Sequence, residues 1–210
     1  MSTEGEFLPY GVVAREIILW LATEVGRHRV RRIPIDGFSA WVRELTQTVA
    51  TGGDNGTIRR VKNQVKYLSA MTLTHQFGRS IEEMRVIENS ELSTGGFIEI
   101  SESFYDLILN HRMPVRVPYF RALTRAPAAL DLYLWLNHRT LTVHQDVWIP
   151  WKSFRRQSGS RFRRLSDFVR SMWQSLVIVK TTKSGAVFDA TKKFLVLRPF
   201  SPDVPERYVP

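Results

Sequence analysis

A 3.6-residue rhythm is the first pattern along the chain. Val13, Ile17, Trp20, Leu21 and Val25 stand three or four residues apart behind Pro9. A proline suits the first turn of a helix, where its missing N–H is not needed. The spacing predicts a helix over Pro9–Val25. Asp36 and Gly37 open a second, short helix carrying Phe38, Trp41, Val42 and Leu45. The turn-rich run Thr51-Gly52-Gly53-Asp54-Asn55-Gly56 leads to Thr57, which reads as the cap of a third helix ending near Ser69. Met71–Phe77 and Gly96–Ile100 read as strands, and the polar Gly78–Thr94 between them as a hairpin tip. Ser101 or Ser103 starts a helix through Phe104, Leu107, Ile108 and Leu109.

The second half repeats this order. Pro127 begins a helix with Leu130, Leu134, Trp135 and Leu136, and Trp148–Phe154 reads as the end of an extended stretch followed by a short helix. Ser160 caps a long helix whose core stripe is Phe162, Leu165, Val169, Met172 and Leu176. Leu176–Thr182, Ala186–Ala190 and Phe194–Leu197 read as strands, with a turn at Lys183-Ser184-Gly185. Proline-rich Asp203–Pro210 reads as a frayed tail.

Two signatures tie the halves together. Leu19-Trp20-Leu21 returns as Leu134-Trp135-Leu136, an offset of 115 residues. Ile33-Pro34-x-x-x-Phe38 returns as Ile149-Pro150-x-x-x-Phe154, an offset of 116. The period is far above that of solenoid repeats. It predicts two copies of one small domain, each running helix, short helix, long helix, strands. That order is the winged helix, a helix-turn-helix variant whose third helix enters the major groove. The expected architecture is α+β: tandem winged-helix domains, mainly helical, with small antiparallel β-hairpin wings. Residues 1–110 form the first domain, 111–200 the second and 201–210 the tail.

Charge changes the picture. The chain of 210 residues carries a net +10. Residues 147–198 hold 12 basic and 2 acidic side chains, which is the whole excess. A smaller island runs from Asn55 to Ile81, with Arg59, Arg60, Lys62, Lys66 and Arg79 and no acid. Acids then gather between Glu82 and Asp106, in what reads as an interaction surface or a solvated loop, with the loop preferred. Two basic islands in an otherwise balanced chain predict two footprints on a polyanion.

Both islands fall on the candidate recognition helices. In the first, Ile58, Val61, Val65 and Leu68 make an apolar stripe, and Arg59, Lys62, Asn63 and Lys66 occupy the opposite face, flanked by Arg60 and Gln64. Arg can read guanine bidentately and Asn or Gln can read adenine, while Lys suits phosphates. An ordinary solvent face mixes signs; this helix has no acid. In the second, Arg161, Arg163, Arg164 and Arg170 lie off the core stripe, with Asp167 one turn away to orient an arginine. Lys152, Arg155 and Arg156 precede it. Ser158 and Ser160 are candidates for phosphate contacts near a helix N-terminus, where the dipole favours anions, and Thr57 is a further candidate DNA-binding residue. Lys180 and Lys183 near the hairpin tip, and Lys192 and Lys193, are candidates for gripping a backbone or minor groove.

Other chemistry is not predicted. Gly52–Thr57 lacks the lysine of a phosphate-binding loop. The five histidines show neither H-x-H nor H-x-x-x-H spacing, so no metal site is expected. Without cysteine there is no disulfide, thiolate zinc site or cysteine nucleophile. Trp20, Trp41, Trp135 and Trp151 sit on apolar stripes and are expected in the core. No catalytic constellation and no cofactor is predicted. No run approaches eighteen apolar residues and Met1–Glu6 is acidic, so the expected location is the cytoplasm.

The residues also resemble a family. Leu8-Pro9-Tyr10-Gly11 leading into Leu19-Trp20-Leu21 resembles the opening of plasmid-encoded RepA replication initiators. So do Gly52-Gly53 with Gly56-Thr57-Ile58, the helix Ala129–Leu136 and the closing Phe194-Leu195-Val196-Leu197, a likeness from about Leu8 to Pro199. The resemblance implies an initiator that binds repeated sequences in double-stranded origin DNA, helps open the origin and recruits host replication proteins such as an initiator or helicase. In broader initiators of this kind a monomer–dimer change switches replication against autorepression, which makes a homodimer an expected partner state. The rival expectations are a winged-helix transcription regulator, including an autorepressor; a nickase or primase; and a basic membrane-surface protein, against which the full use of the apolar stripes argues.

Overall fold

Ala14, Ile17, Leu21 and Val25 are almost completely buried, which fixes one stripe of α1 (Gly11–His28) against the rest of the first unit. The helix ends at Arg29, which adopts a left-handed φ of 55° and donates its N–H to the Val25 carbonyl. The computed structural model describes residues 8–77, 80–111, 113–140, 142–182, 188–199 and 204; side chains at 75–77, 80–82 and 140 are not part of that description. Two compact units divide the chain, Met1–Arg112 and Met113–Pro210. The expected turn at Lys183-Ser184-Gly185, Arg79, the start at 1–6 and, Val204 apart, the tail 203–210 lie outside the described residues.

In the first unit, α1 is followed by β1 (Arg32–Ile35), α2 (Phe38–Thr46) and α3 (Thr57–Ala70). Strands β2 (Thr72–Phe77), β3 (Ser80–Arg85), β4 (Ile87–Glu91) and β5 (Gly96–Ile100) come next, then α4 (Glu102–Asn110). Three strands pair antiparallel in the order β1-β5-β4, with Ile33 opposite Ile98; β2 and β3 form a separate antiparallel hairpin. Ser101 caps α4, its hydroxyl accepting the Phe104 N–H at 3.1 Å. The core joins α1, α2 and α3 to the sheet through Ile17, Leu21, Trp41, Val61, Val65, Leu68, Ile98 and Ile100.

In the second unit, α5 (Val117–Leu123) precedes α6 (Pro127–Thr140), β6 (Val147–Pro150), α7 (Trp151–Gln157), α8 (Leu165–Thr182), β7 (Phe188–Ala190) and β8 (Phe194–Leu197). Its three strands pair antiparallel in the order β6-β8-β7, with Ile149 opposite Leu195. In each unit, therefore, the strand before the short helix pairs with the last strand of the sheet, which lies in the middle. The repeated signatures occupy matching places. Leu21 and Leu136 are both buried, at 0% and 1% exposure, and Ile33 and Ile149 at 2% and 7%. Trp20 packs edge-on to Trp41 of α2 at 5.1 Å, and Trp135 packs on Phe154 of α7 at 4.7 Å.

Five local expectations are corrected. The first helix is present but runs Gly11–His28, starting two residues and ending three residues later than expected. From Ser80 on, the polar stretch expected as a hairpin tip and the acidic run 82–106 are mostly regular elements: they supply β3, β4, β5 and α4, with Glu83, Glu88, Glu91, Glu102 and Asp106 on the exposed side. Leu176–Thr182 continues α8 instead of forming a strand. Its Val177-Ile178-Val179 run favours a strand by composition, but Met172, Leu176 and Val179 are buried at helical spacing and tertiary packing decides. Finally, α8 begins at Leu165, not beside Ser160, and Phe162 and Leu165 are 43% and 37% exposed instead of sitting in the core stripe. The Ser160 hydroxyl accepts the Phe162 N–H at 3.3 Å, closing a local turn that competes with the helix.

Candidate nucleic-acid interface

The loop before α3 is tied down by two threonines. The Thr57 hydroxyl accepts the Thr51 N–H at 2.8 Å and donates to the Val49 carbonyl at 3.0 Å. The Thr51 hydroxyl accepts the Thr57 N–H at 3.1 Å. Gly56 is the N-cap, and a Cβ there would run into the backbone carbonyls of Thr51 and Gly52, so the position demands glycine. Thr57 is 7% exposed. It is corrected from a candidate DNA contact to a residue of the fold, because its hydroxyl is buried and already engaged.

With the loop fixed, α3 turns Val61, Val65 and Leu68 into the core. Arg59, Arg60, Lys62 and Lys66 are exposed and Asn63 is half-buried. Lys62 Nζ lies 5.3 Å from the centre of the Phe38 ring, which holds the lysine stem along α2. Gln64, expected beside this face, is 4% exposed and its amide oxygen accepts the Tyr10 N–H at 3.0 Å. Arg59 forms an ion pair with Asp54, a partner from the preceding loop that the acid-free helix does not suggest.

The basic residues of the second unit spread over several elements. Lys152 is exposed at the start of α7 and Arg156 at its end, with Arg155 half-buried. Ser158 and Ser160 are corrected: they stand after α7 and not at a helix N-terminus. The Ser158 N–H donates to Phe154 O at 2.9 Å and its hydroxyl donates to Arg155 O at 3.0 Å. A helix C-terminus carries partial negative charge and disfavours phosphate. Arg161, Arg163 and Arg164 are exposed but precede α8, so they lie on a connecting segment and not on a recognition helix. Among the described ion pairs none joins Asp167 to Arg163, Arg164 or Arg170. Arg170 and Lys180 are the exposed bases of α8 itself. Lys180 lies in the last turn of that helix, not on a hairpin.

The turn joining β7 to β8 is Thr191-Lys192-Lys193. The Thr191 hydroxyl accepts N–H groups from Lys193 at 3.3 Å and Phe194 at 3.0 Å. Trp151 anchors the turn from below, donating its indole N–H to Thr191 O at 2.9 Å and its backbone N–H to Lys193 O at 3.2 Å. Both lysines are exposed. Together with Lys152 and Arg170 they border a cleft of about 690 Å³ whose apolar wall includes Leu165 and Trp173.

Among the described residues no group of three His, Asp or Glu side chains is placed to hold a metal, and no helix is long and apolar enough to cross a membrane. The molecule is thus an α+β protein of two units with small antiparallel sheets and exposed basic surfaces. The family model described as plasmid encoded RepA protein matches residues 8–148, two thirds of the chain, and the protein belongs to that family. The family ties it to plasmid replication. The match ends within β6, short of the Pro199 to which the resemblance is expected to extend, so α7, α8 and the β7–β8 hairpin lie outside it. No curated protein and no solved structure matches the chain significantly.

Proposed function

We propose that the protein is a sequence-specific duplex-DNA-binding initiator of plasmid replication, built from two winged helices over residues 1–110 and 111–200. The observation that carries this reading is the exposed face of α3, where Arg59, Arg60, Lys62 and Lys66 surround Asn63 and the helix has no acid. A rigid helix bearing arginine, an amide and lysines can combine base-edge readout with phosphate contacts. In chain order the helix follows the short helix α2 and precedes the β2–β3 hairpin and strands β4 and β5, which supports a winged-helix reading. The scattered bases of the second unit, Arg155, Arg156, Arg161, Arg163, Arg164 and Lys180, add phosphate grip. The proposed work is done by binding in the cytoplasm, without cofactor or catalysis: the protein marks repeated origin sites, favours their opening and presents a surface, as monomer or dimer, to host replication proteins.

The test is binding of purified protein to its own upstream DNA and to scrambled DNA across a salt series. A preference of about 10³ or more for the upstream DNA is expected of a specific binder. Equal binding to both, fading together as salt rises, overturns sequence reading and leaves a phosphate grip. Nicking of supercoiled origin DNA in Mg²⁺ or Mn²⁺ overturns the non-catalytic part.

A further inference from the structure

The outward faces of α3 and α8 differ in kind. Along α3 the exposed side chains are Arg59, Arg60, Lys62 and Lys66, with Ala70 at the end of the helix. Along α8 they include Leu165 at 37% exposure, Trp173 at 41% and Val177 at 58%. These stand among exposed Ser166, Arg170, Gln174, Lys180 and Thr181, so the helix presents a mixed surface. Leu165, Arg170 and Trp173 line the 690 Å³ cleft, and every charged residue lining that cleft is basic: Lys152, Arg170, Lys192 and Lys193. The cleft thus pairs an apolar, aromatic wall with a cationic rim.

We propose that this cleft binds single-stranded DNA, with a base stacked on Trp173 and the adjoining phosphates on Lys152, Arg170, Lys192 and Lys193. In a duplex the base faces are stacked on one another, and only edges and phosphates reach the surface. An unpaired strand offers both a π-face and phosphates within one nucleotide, which is what an aromatic side chain among cations takes. Charge selects this occupant over a second copy of the chain. An isologous contact would place the same four cations against themselves. The turn is built to hold its lysines, because Trp151 and the Thr191 hydroxyl fix its backbone. The cleft lies beyond the residues that define the family match. The proposal deepens the initiator reading by naming what the second unit holds once an origin has opened.

The experiment uses the full chain and fluorescently labelled oligo(dT) of about 15 nucleotides, near the upper site size of single-strand binding folds. Anisotropy titrations compare wild type, Trp173→Ala, Trp173→Phe and the double variant Lys192→Ala/Lys193→Ala. Trp173→Ala is expected to weaken oligo(dT) binding roughly tenfold, and Trp173→Phe to recover most of the loss because a ring remains. The double lysine variant should flatten the salt dependence by roughly 1.4 in log–log slope. Ultraviolet cross-linking of the wild-type complex, which needs no variant, should map to the tryptic peptide Ser171–Lys180. Unchanged oligo(dT) binding by Trp173→Ala overturns the proposal. So does an equal loss for the Ala and Phe variants, a cross-link confined to α3, or a change of oligomeric state in Trp173→Ala with strand binding intact. Specificity for duplex is measured separately. If it is absent while oligo(dT) binding follows Trp173, the initiator reading fails and the single-strand cleft stands. If duplex specificity is present while oligo(dT) binding ignores Trp173, the cleft fails and the initiator reading stands.

Discussion

Thr51 and Thr57 hold each other across the loop before α3. Each hydroxyl accepts the other residue's backbone N–H, at 2.8 Å to Thr57 Oγ1 and 3.1 Å to Thr51 Oγ1. Thr57 also donates to Val49 O. Valine has the shape of threonine without the hydroxyl, so Thr57→Val leaves the Thr51 N–H and the Val49 carbonyl without that partner. The expected cost is about 1–3 kcal/mol in stability, read by denaturant unfolding. Thr57→Ser keeps the oxygen and should recover most of it. A valine variant as stable as wild type would show that the pair does not order the loop.

Asp54 and Arg59 make an exposed ion pair, with side-chain exposures of 90% and 53%. Such pairs contribute about 0–1 kcal/mol to stability, so Asp54→Asn should leave the melting temperature nearly unchanged. Its effect is expected on DNA. A phosphate or base no longer competes with the carboxylate for the guanidinium, and one repulsive charge is gone. Affinity for scrambled duplex should rise a few-fold at low salt, with the gain shrinking as salt is added. Unaltered affinity would place Arg59 away from the DNA.

The paired signatures show what is legible in the sequence. Leu19-Trp20-Leu21 and Ile33-Pro34 mark positions whose burial is set locally, and their counterparts at 134–136 and 149–150 occupy the same places in the second sheet and helix. The order of helices and the apolar stripe of α3 follow from the same periodicity. The misses have other causes. Ser160 resembles a helix cap because its hydroxyl does accept an N–H two residues on, but that bond closes a turn ahead of the real start at Leu165. Gln64 resembles a base reader because its partner, the Tyr10 N–H, lies 54 residues away. Lys180 suggests a hairpin because β-branched residues surround it, while the lysines actually carried by the β7–β8 turn are Lys192 and Lys193. The helix α5 escapes the pattern altogether; it has seven residues, and only Phe120 and Leu123 are buried along it.

Thr191 governs how firmly those two lysines are presented. Its hydroxyl accepts from Lys193 N and Phe194 N and donates to Phe194 O. Thr191→Val removes these bonds at an exposed position, where water takes up the freed groups. The expected global cost is at most about 1 kcal/mol. The local effect is larger: amide exchange at Lys193 and Phe194 should accelerate while that of Leu195–Leu197 in the strand stays slow. If exchange at the turn is unchanged, Trp151 and the backbone bond from Thr191 N to Phe194 O fix it without the hydroxyl.

The exposed residues of α3 should separate by what they touch. Asn63 is half-buried among the exposed Arg59, Arg60, Lys62 and Lys66. An amide can discriminate between bases by its paired donor and acceptor, whereas a lysine satisfies any phosphate. Asn63→Ala is therefore expected to weaken the preferred site by about 1–3 kcal/mol and to leave scrambled DNA nearly unaffected, narrowing the ratio between them. Lys66→Ala should weaken both DNAs alike and reduce the salt slope by about 1. Competition titrations with the upstream site and its scrambled counterpart measure both quantities at once. If Asn63→Ala lowers the two affinities equally, α3 is a phosphate-gripping helix, and sequence reading has to be sought on another element.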